Sequence, residues 1–125
     1  MIYSMADIQE IASEYYLALI EVVDHCLGDQ YWAQNVASDL RSAAERADRR
    51  RNLLYEAKRF DQELLDVFES DFRKTMRIAR KLSKPEAVPD QERGALLNEA
   101  LSHRTYLEGQ ATGYLGRLAK LTAAG

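Results

Sequence analysis

Two Glu-x-x-x-His pairs are the residues of this 125-residue chain whose types and spacing come closest to a reactive site. Glu21 precedes His25 by about one helical turn, as Glu99 precedes His103, so each pair projects a carboxylate and an imidazole from one helix face, as metal ligands do. Di-iron bundles, however, use a Glu-x-x-His spacing on two helices together with glutamates from two others. The longer spacing favours ordinary surface pairs, so we predict neither a metal nor a cofactor. A metal-binding bundle is the third of three functional hypotheses.

Other motifs of enzymes are missing from the sequence. The segment His25-Cys26-Leu27-Gly28 has a passing likeness to a phosphotransfer helix, but it lacks the expected lysine and falls at a helix end. Two histidines give no arguable Ser-His-Asp or Cys-His arrangement, and no glycine-rich phosphate loop is present. We therefore predict a protein that is not an enzyme.

Two acidic residues are candidates for a buried polar site. Asp61 and Asp71 would both project onto the apolar side of a continuous helix running from residue 53 to residue 82. A buried carboxylate must be paired or take an altered pKa. We expect a structural ion pair, with a functional polar pocket as the alternative. The possible partners are Arg50, Arg51 and Arg104.

Basic residues form two groups that are candidates for binding an anionic partner. One group is Arg49, Arg50 and Arg51, and the other is the stripe Arg73, Lys74, Arg77, Arg80, Lys81 and Lys84. Cations near a helix C-terminus are favourable on their own, and the net charge of −3 opposes the approach of nucleic acid. A solvated face is therefore favoured, and a small nucleic-acid-binding bundle is the second functional hypothesis.

Charge is distributed unevenly along the chain. Residues 1–40 include acidic residues but no Lys or Arg, whereas residues 41–84 have an excess of basic residues. This segregation predicts that the first helix packs against the basic middle segment, or that one face of the protein meets a charged partner.

Aromatic residues are the other candidates for partner contacts. Seven tyrosines and one tryptophan are more than a small core readily buries, and Tyr and Trp are favoured at interfaces. We predict that some of these residues, among them Tyr15, Tyr16, Tyr31 and Trp32, contact a second chain.

Apolar spacing predicts the first helix, which would position several of these residues. Between Met5 and Leu27, apolar residues recur every three or four positions, and Ser4 or Asp7 can cap the start. The apolar stripe covers about half of the circumference, more than one neighbour can cover. We expect this helix to touch at least two others.

The middle of the chain requires a break that its composition does not mark. Residues 30–83 contain neither Gly nor Pro, yet one helix of that length would extend about 80 Å. We place the turn at residues 48–52, because a continued helix would push Arg50 and Arg51 into the core. Phe60-Asp61 is the competing position, and a continuous helix completed by a second copy of the chain is the third possibility.

The last helix follows a proline-containing loop at residues 84–90. Its predicted inner face includes Leu96, Leu97, Ala100, Leu107, Ala111, Tyr114, Leu115, Leu118 and Leu121. The helix also contains Gly109, Gly113 and Gly116, each of which costs about 1 kcal/mol relative to Ala. These glycines either let another helix approach closely or loosen the C-terminal end.

Together these patterns predict one all-α domain over residues 1–125, an antiparallel bundle of three or four helices. Hydrophobic residues at 46% and charged residues at 30% match a globular protein. No signal peptide is apparent, and no apolar stretch approaches the roughly 20 residues of a membrane span. We expect a cytoplasmic homodimer. The leading hypothesis is a non-enzymatic adaptor, chaperone-like or regulatory protein that acts through protein–protein interaction and self-association.

Overall fold

Four helices make up the chain in the computed structural model, which describes residues 3–27, 34–83 and 87–124. They are α1 (Met5–Leu27), α2 (Gln34–Ala57), α3 (Gln62–Leu82) and α4 (Asp90–Ala124). No strand occurs within those ranges, and the predicted all-α bundle is confirmed. None of the described helices is long and apolar enough to cross a membrane.

Successive helices run antiparallel, as their contacts show. In each hairpin the contacts move forward along one helix and backward along the next. The pairs are Glu14 with Arg50 and Glu21 with Arg46, Arg51 with Glu69 and Tyr55 with Leu65, and Asp71 with Tyr106 and Thr75 with His103. The predicted antiparallel arrangement is confirmed, with four helices rather than three.

The first helix lies at the centre of the bundle. A reciprocal capping box begins α1, because the backbone N–H of Asp7 donates to Ser4 Oγ and that of Ser4 donates to the Asp7 carboxylate. Beyond the cap, α1 packs against α2, α3 and α4, which confirms the prediction that it touches at least two helices. Its fully buried side chains lie on several faces and include Ile8, Ala12, Tyr15, Tyr16, Leu19 and Val22.

The turn predicted at residues 48–52 is wrong, because α2 continues through this segment to Ala57. The two arginines expected to break the helix are partly buried at its edge. Arg50 donates to Glu14 at 3.0 Å, and Arg51 donates to Asp48 at 2.6 Å while its guanidinium covers the Phe72 ring. Acidic partners and an aromatic face therefore allow α2 to continue through the basic run.

The break lies at the competing position. Lys58 takes a left-handed backbone conformation with a φ of 52°, and Asp61 caps α3 by accepting a hydrogen bond from Leu64 N at 2.9 Å. Because α2 continues past residue 52, its buried face extends from Ala43 and Ala47 to Leu54 rather than to Leu53. After the break, α3 turns a different set of positions inward and leaves Leu64 exposed. The buried residues of α3 are Phe68, Asp71, Thr75, Ile78 and Ala79.

The last helix is unbroken by its glycines. Its inner face matches the prediction at Leu96, Ala100, Leu107, Ala111 and Tyr114, all of which are buried. Of the other leucines expected there, Leu97, Leu115 and Leu121 are exposed, and Leu118 is half-buried. Of the predicted proline loop, residues 87–89 precede α4, and residues 84–86 lie outside the described part of the chain.

Candidate functional site

A polar cluster joins α1, α3 and α4 inside the bundle. Asp71 is buried, and its Oδ2 accepts hydrogen bonds from the hydroxyls of Tyr16 at 2.6 Å and Tyr106 at 2.8 Å. Gln110 Nε2 reaches both hydroxyls, at 3.4 Å and 3.2 Å. Because these residues come from three helices, the cluster fixes the three helices relative to one another.

His103 extends the cluster along the inner face of α4. Thr75 Oγ1 donates to the backbone carbonyl of Asp71 at 2.7 Å and lies 2.8 Å from His103 Nε2. A hydroxyl has one proton to donate, so this arrangement assigns the imidazole proton to Nε2 as the donor to Thr75. The His103 ring also stacks on Tyr106 at 5.9 Å between ring centroids.

Burial sets the protonation states in the cluster. It raises the pKa of Asp71, although the hydrogen bonds from Tyr16 and Tyr106 act in the opposite direction. It raises the pKa values of both tyrosines as well, and it lowers the pKa of His103 to about 4, with the nearby Lys74 ammonium adding to the effect. His103 is therefore neutral at physiological pH.

The cluster differs from the expected ion pair. Asp71 is held by tyrosine hydroxyls rather than by an arginine, and Asp61 is an exposed helix cap. The cavities of about 490 Å³ and 400 Å³ in the described structure are lined by other residues. We interpret the Asp71 cluster as a structural device that specifies how the helices pack.

The predicted metal-ligand pairs are engaged elsewhere. Glu21 pairs with Arg46 at 2.6 Å, and Glu99 pairs with Arg77. His25 is half-buried on α1, while His103 belongs to the Asp71 cluster. Across the described ranges, no group of three or more His, Cys, Asp or Glu side chains is arranged to hold a metal ion.

Several of the predicted basic residues are paired within the chain. The pairs are Arg50 with Glu14 at 3.0 Å, Arg51 with Asp48 at 2.6 Å and Glu69 at 2.9 Å, Arg73 with Glu69 at 2.9 Å, and Arg77 with Glu99. Acidic residues of α1 thus form ion pairs with arginines of α2. These pairs favour the first explanation for the uneven charge, in which the first helix packs against the basic middle segment. Nucleic-acid binding stays an untested hypothesis that these pairs weaken.

The remaining basic candidates are distributed over the surface. Arg49 and Lys74 are exposed, and Arg80 and Lys81 line the cavity of about 490 Å³. Lys84 lies outside the described residues.

Of the four aromatic candidates for partner contacts, two are buried in the core and two lie outside the described residues. Tyr15 and Tyr16 are fully buried in the core of this chain, so they are not available to a partner. The Tyr15 hydroxyl donates to the Phe68 carbonyl at 2.6 Å, and both rings pack against Phe68. Tyr31 and Trp32 lie outside the described residues.

A long surface of α4 is left largely uncovered by the described residues, although the hydroxyl of its Tyr106 donates to Asp71. Projected along the helix, one side of α4 from residue 94 to residue 119 contains only exposed, uncharged residues. We call it the outward face of α4: Gly94, Asn98, Leu101, Ser102, Thr105, Tyr106, Gly109, Thr112, Gly113, Gly116 and Ala119. Leu97 and Leu115 border it and are themselves exposed.

Charged side chains in this part of α4 lie along the two edges of the outward face, where Glu108 and Glu99 project beside it, or beyond those edges. Glu99 binds Arg77 on α3, Arg104 binds both Asp24 on α1 and Glu108, and the Arg117 guanidinium lies over the Tyr114 ring. The spacing of the glycines had indicated a possible close approach. Projection of residues 94–119 on a helix shows the same absence of charge from the sequence, whereas the exposure of the face required the structure.

Comparisons with known proteins complete the description of the site. No protein family, no curated protein and no solved structure matches this chain.

Proposed function

We propose that this protein is a non-enzymatic adaptor or regulatory protein that self-associates through the outward face of α4. The observation that carries the proposal is the absence of charge from this exposed face. The exposed side of a helix normally carries charged and polar residues, and 30% of the residues in this chain are charged. A solvated face of this length has no physical need to exclude charge, whereas the core of an interface does.

The glycines of α4 support the same proposal. A methyl group added at Gly94, Gly109, Gly113 or Gly116 would meet nothing within 4 Å. Packing within the chain therefore does not require glycine at these positions, although each one costs helix stability of about 1 kcal/mol relative to Ala. A second helix laid against the face would use the space that the missing side chains leave.

The large side chains of the face complete the argument. Leu101 is 53% exposed and Tyr106 is 43% exposed, and Tyr106 stands beside the small residues Ser102 and Gly109. A twofold arrangement puts the same face on both partners, so protruding side chains of one copy can fit above the glycines of the other. From residue 94 to residue 119 the contact would run for about 38 Å.

Light scattering at micromolar concentration tests the proposal. We expect a dimer for the unaltered protein and a monomer for Leu101→Lys, because the new ammonium would be buried without a partner in the interface. Leu64→Lys is the matched control, since Leu64 is also an exposed leucine on a helix and lies on α3. It should leave the dimer intact.

Two results would overturn the proposal. A monomeric mass for the unaltered protein would remove self-association. Equal dissociation by Leu101→Lys and Leu64→Lys would show that the interface does not depend on α4.

A further inference from the structure

A cavity of about 490 Å³ lies at the end of the bundle, away from the Asp71 cluster. It is bounded by the last turns of α3, residues 87–89 and the first turns of α4. Ligand sites in proteins have volumes of this order and combine apolar walls with a few polar groups. The cavity is therefore large enough for a small organic molecule.

One wall of the cavity is apolar. Val88 and Pro89 come from the segment before α4, and Ala95 and Leu96 come from α4 itself. Pro89 fixes the backbone at the mouth, where its carbonyl accepts a hydrogen bond from Glu92 N at 2.9 Å. This wall offers apolar contact to a ligand but no group that would hold a charge.

The part of the cavity lining that comes from α3 provides positive charge. Arg80 and Lys81 are exposed side chains near the end of α3, and neither makes a hydrogen bond or ion pair with any part of the chain that the structure describes. Lys81 acts on Glu99 only through its charge, so both cations keep their hydrogen-bond donors for a ligand. The guanidinium of Arg80 can in addition form two parallel hydrogen bonds to one carboxylate.

Two carboxylates also line the cavity and set its net charge. Glu99 accepts from Arg77, whose guanidinium holds the pKa of Glu99 below its ordinary value, so this carboxylate is already neutralised by a neighbouring cation. Glu92 is the second carboxylate among the described lining residues. Of the described side chains, Arg80 and Lys81 therefore exceed Glu92 by one positive charge, which matches a monoanion better than a phosphate dianion.

We propose that this cavity binds an amphiphilic monoanion, a carboxylate with an apolar chain of several carbon atoms. The carboxylate contacts Arg80 and Lys81, and the chain lies on Val88, Pro89 and Leu96. This site is separate from the outward face of α4, and the proposal does not depend on self-association.

Titration of the full chain with butyrate, hexanoate and octanoate, followed by two-dimensional amide NMR, tests the proposal. Affinity should rise by about fourfold for each added methylene until the apolar wall is covered. Octanol should bind at least about tenfold more weakly than octanoate, because it lacks the charge that Arg80 and Lys81 recognise. The shifted amides should be those around Val88 and Leu96.

A pair of double variants supplies the control. Arg80→Gln with Lys81→Gln should weaken octanoate binding by at least about tenfold, whereas Arg73→Gln with Lys74→Gln removes the same charge from α3 outside the cavity and should not. All four side chains are exposed, so both variants should keep the circular dichroism spectrum of the parent.

Four outcomes would overturn the proposal. They are no binding of any of the three carboxylates, equal binding of octanol, amide shifts confined to another part of the bundle, and equal losses in the two double variants.

Discussion

Helices α1 and α4 both have wide surfaces without charge, yet the bundle treats them in opposite ways. The wide apolar stripe of α1 is covered by three other helices, and Tyr15, Tyr16 and Leu19 are fully buried. The outward face of α4 is left largely exposed by the described chain, with Tyr106 as a side chain that reaches Asp71. An uncharged helix surface is therefore covered within the chain in one case and left exposed in the other, and only the topology distinguishes the two.

Leucine-to-alanine changes test this comparison with the largest expected effect. Leu19→Ala should lower the free energy of unfolding by about 2–5 kcal/mol, because it leaves a cavity where α1 meets its neighbours. Leu101→Ala should change it by less than about 0.5 kcal/mol in dilute protein, because its side chain is 53% exposed. Urea unfolding of both variants measures the difference, and equal losses would contradict the central position of α1.

The inner face of α4 should respond to pH through His103. In the folded protein the pKa of His103 is lowered from 6.5 to about 4, so between these values the unfolded chain binds a proton that the folded chain does not. Stability should therefore fall as the pH is lowered through this window. Asp71, with its raised pKa, acts in the opposite direction at the acidic end of the range.

His103→Gln isolates the contribution of the histidine, because Asp71 is present in both proteins. The difference in unfolding free energy between parent and variant should decrease as the pH falls from about 6.5 towards about 4. Parallel stability curves over this range would show that His103 titrates normally and is accessible to solvent.

Removing the hydroxyl of Tyr16 or Tyr106 tests how Asp71 of α3 is held by α1 and α4, with a smaller expected loss of stability. Tyr16→Phe removes a buried donor from Asp71 and should cost about 1–3 kcal/mol of unfolding free energy. Tyr106→Phe removes the second donor from a side chain that is 43% exposed, where water can replace it, and should cost less. Thermal or urea unfolding ranks the two variants, and a larger loss for Tyr106→Phe would place the main support of Asp71 on α4.

Gly113→Ala should have the smallest effect on stability and should separate folding from association. The added methyl meets nothing within 4 Å in the chain, so α4 should gain about 1 kcal/mol or less. The same methyl would stand between two closely packed helices and should weaken the dimer. Unfolding and light scattering measure the two effects, and a more stable variant with unchanged association would argue against close approach at Gly113.

Much of the fold could be predicted from periodicity and capping. The spacing of α1, its Ser4–Asp7 cap and the inner face of α4 from Leu96 to Tyr114 required only local information. The break between α2 and α3 was predicted at the wrong position. Lys58 adopts a left-handed conformation without the glycine that usually marks one. The arginines at 50 and 51 were misleading because their acidic partners come from other turns and other helices.

The candidate sites were harder to predict for the same reason. Asp71 was correctly placed on the apolar side of its helix, but its tyrosine partners come from α1 and α4. Tyr15 and Tyr16 were expected at an interface because a small core was expected to bury few of the tyrosines in the chain. A central helix, however, can bury aromatic residues on several sides. Leu97 and Leu115 lie just beyond the inner face of α4, and only the packing of α1 defines where that face ends.

The central position of α1 also has a consequence during synthesis on the ribosome. This helix is made before the other three, and α4, which covers part of its apolar surface and pairs with it through Asp24 and Arg104, is made last. The nascent chain therefore exposes part of its most hydrophobic helix until translation has passed α4. A chain that stops within the loop before α4 would keep that surface open and should be a substrate for chaperones or proteases.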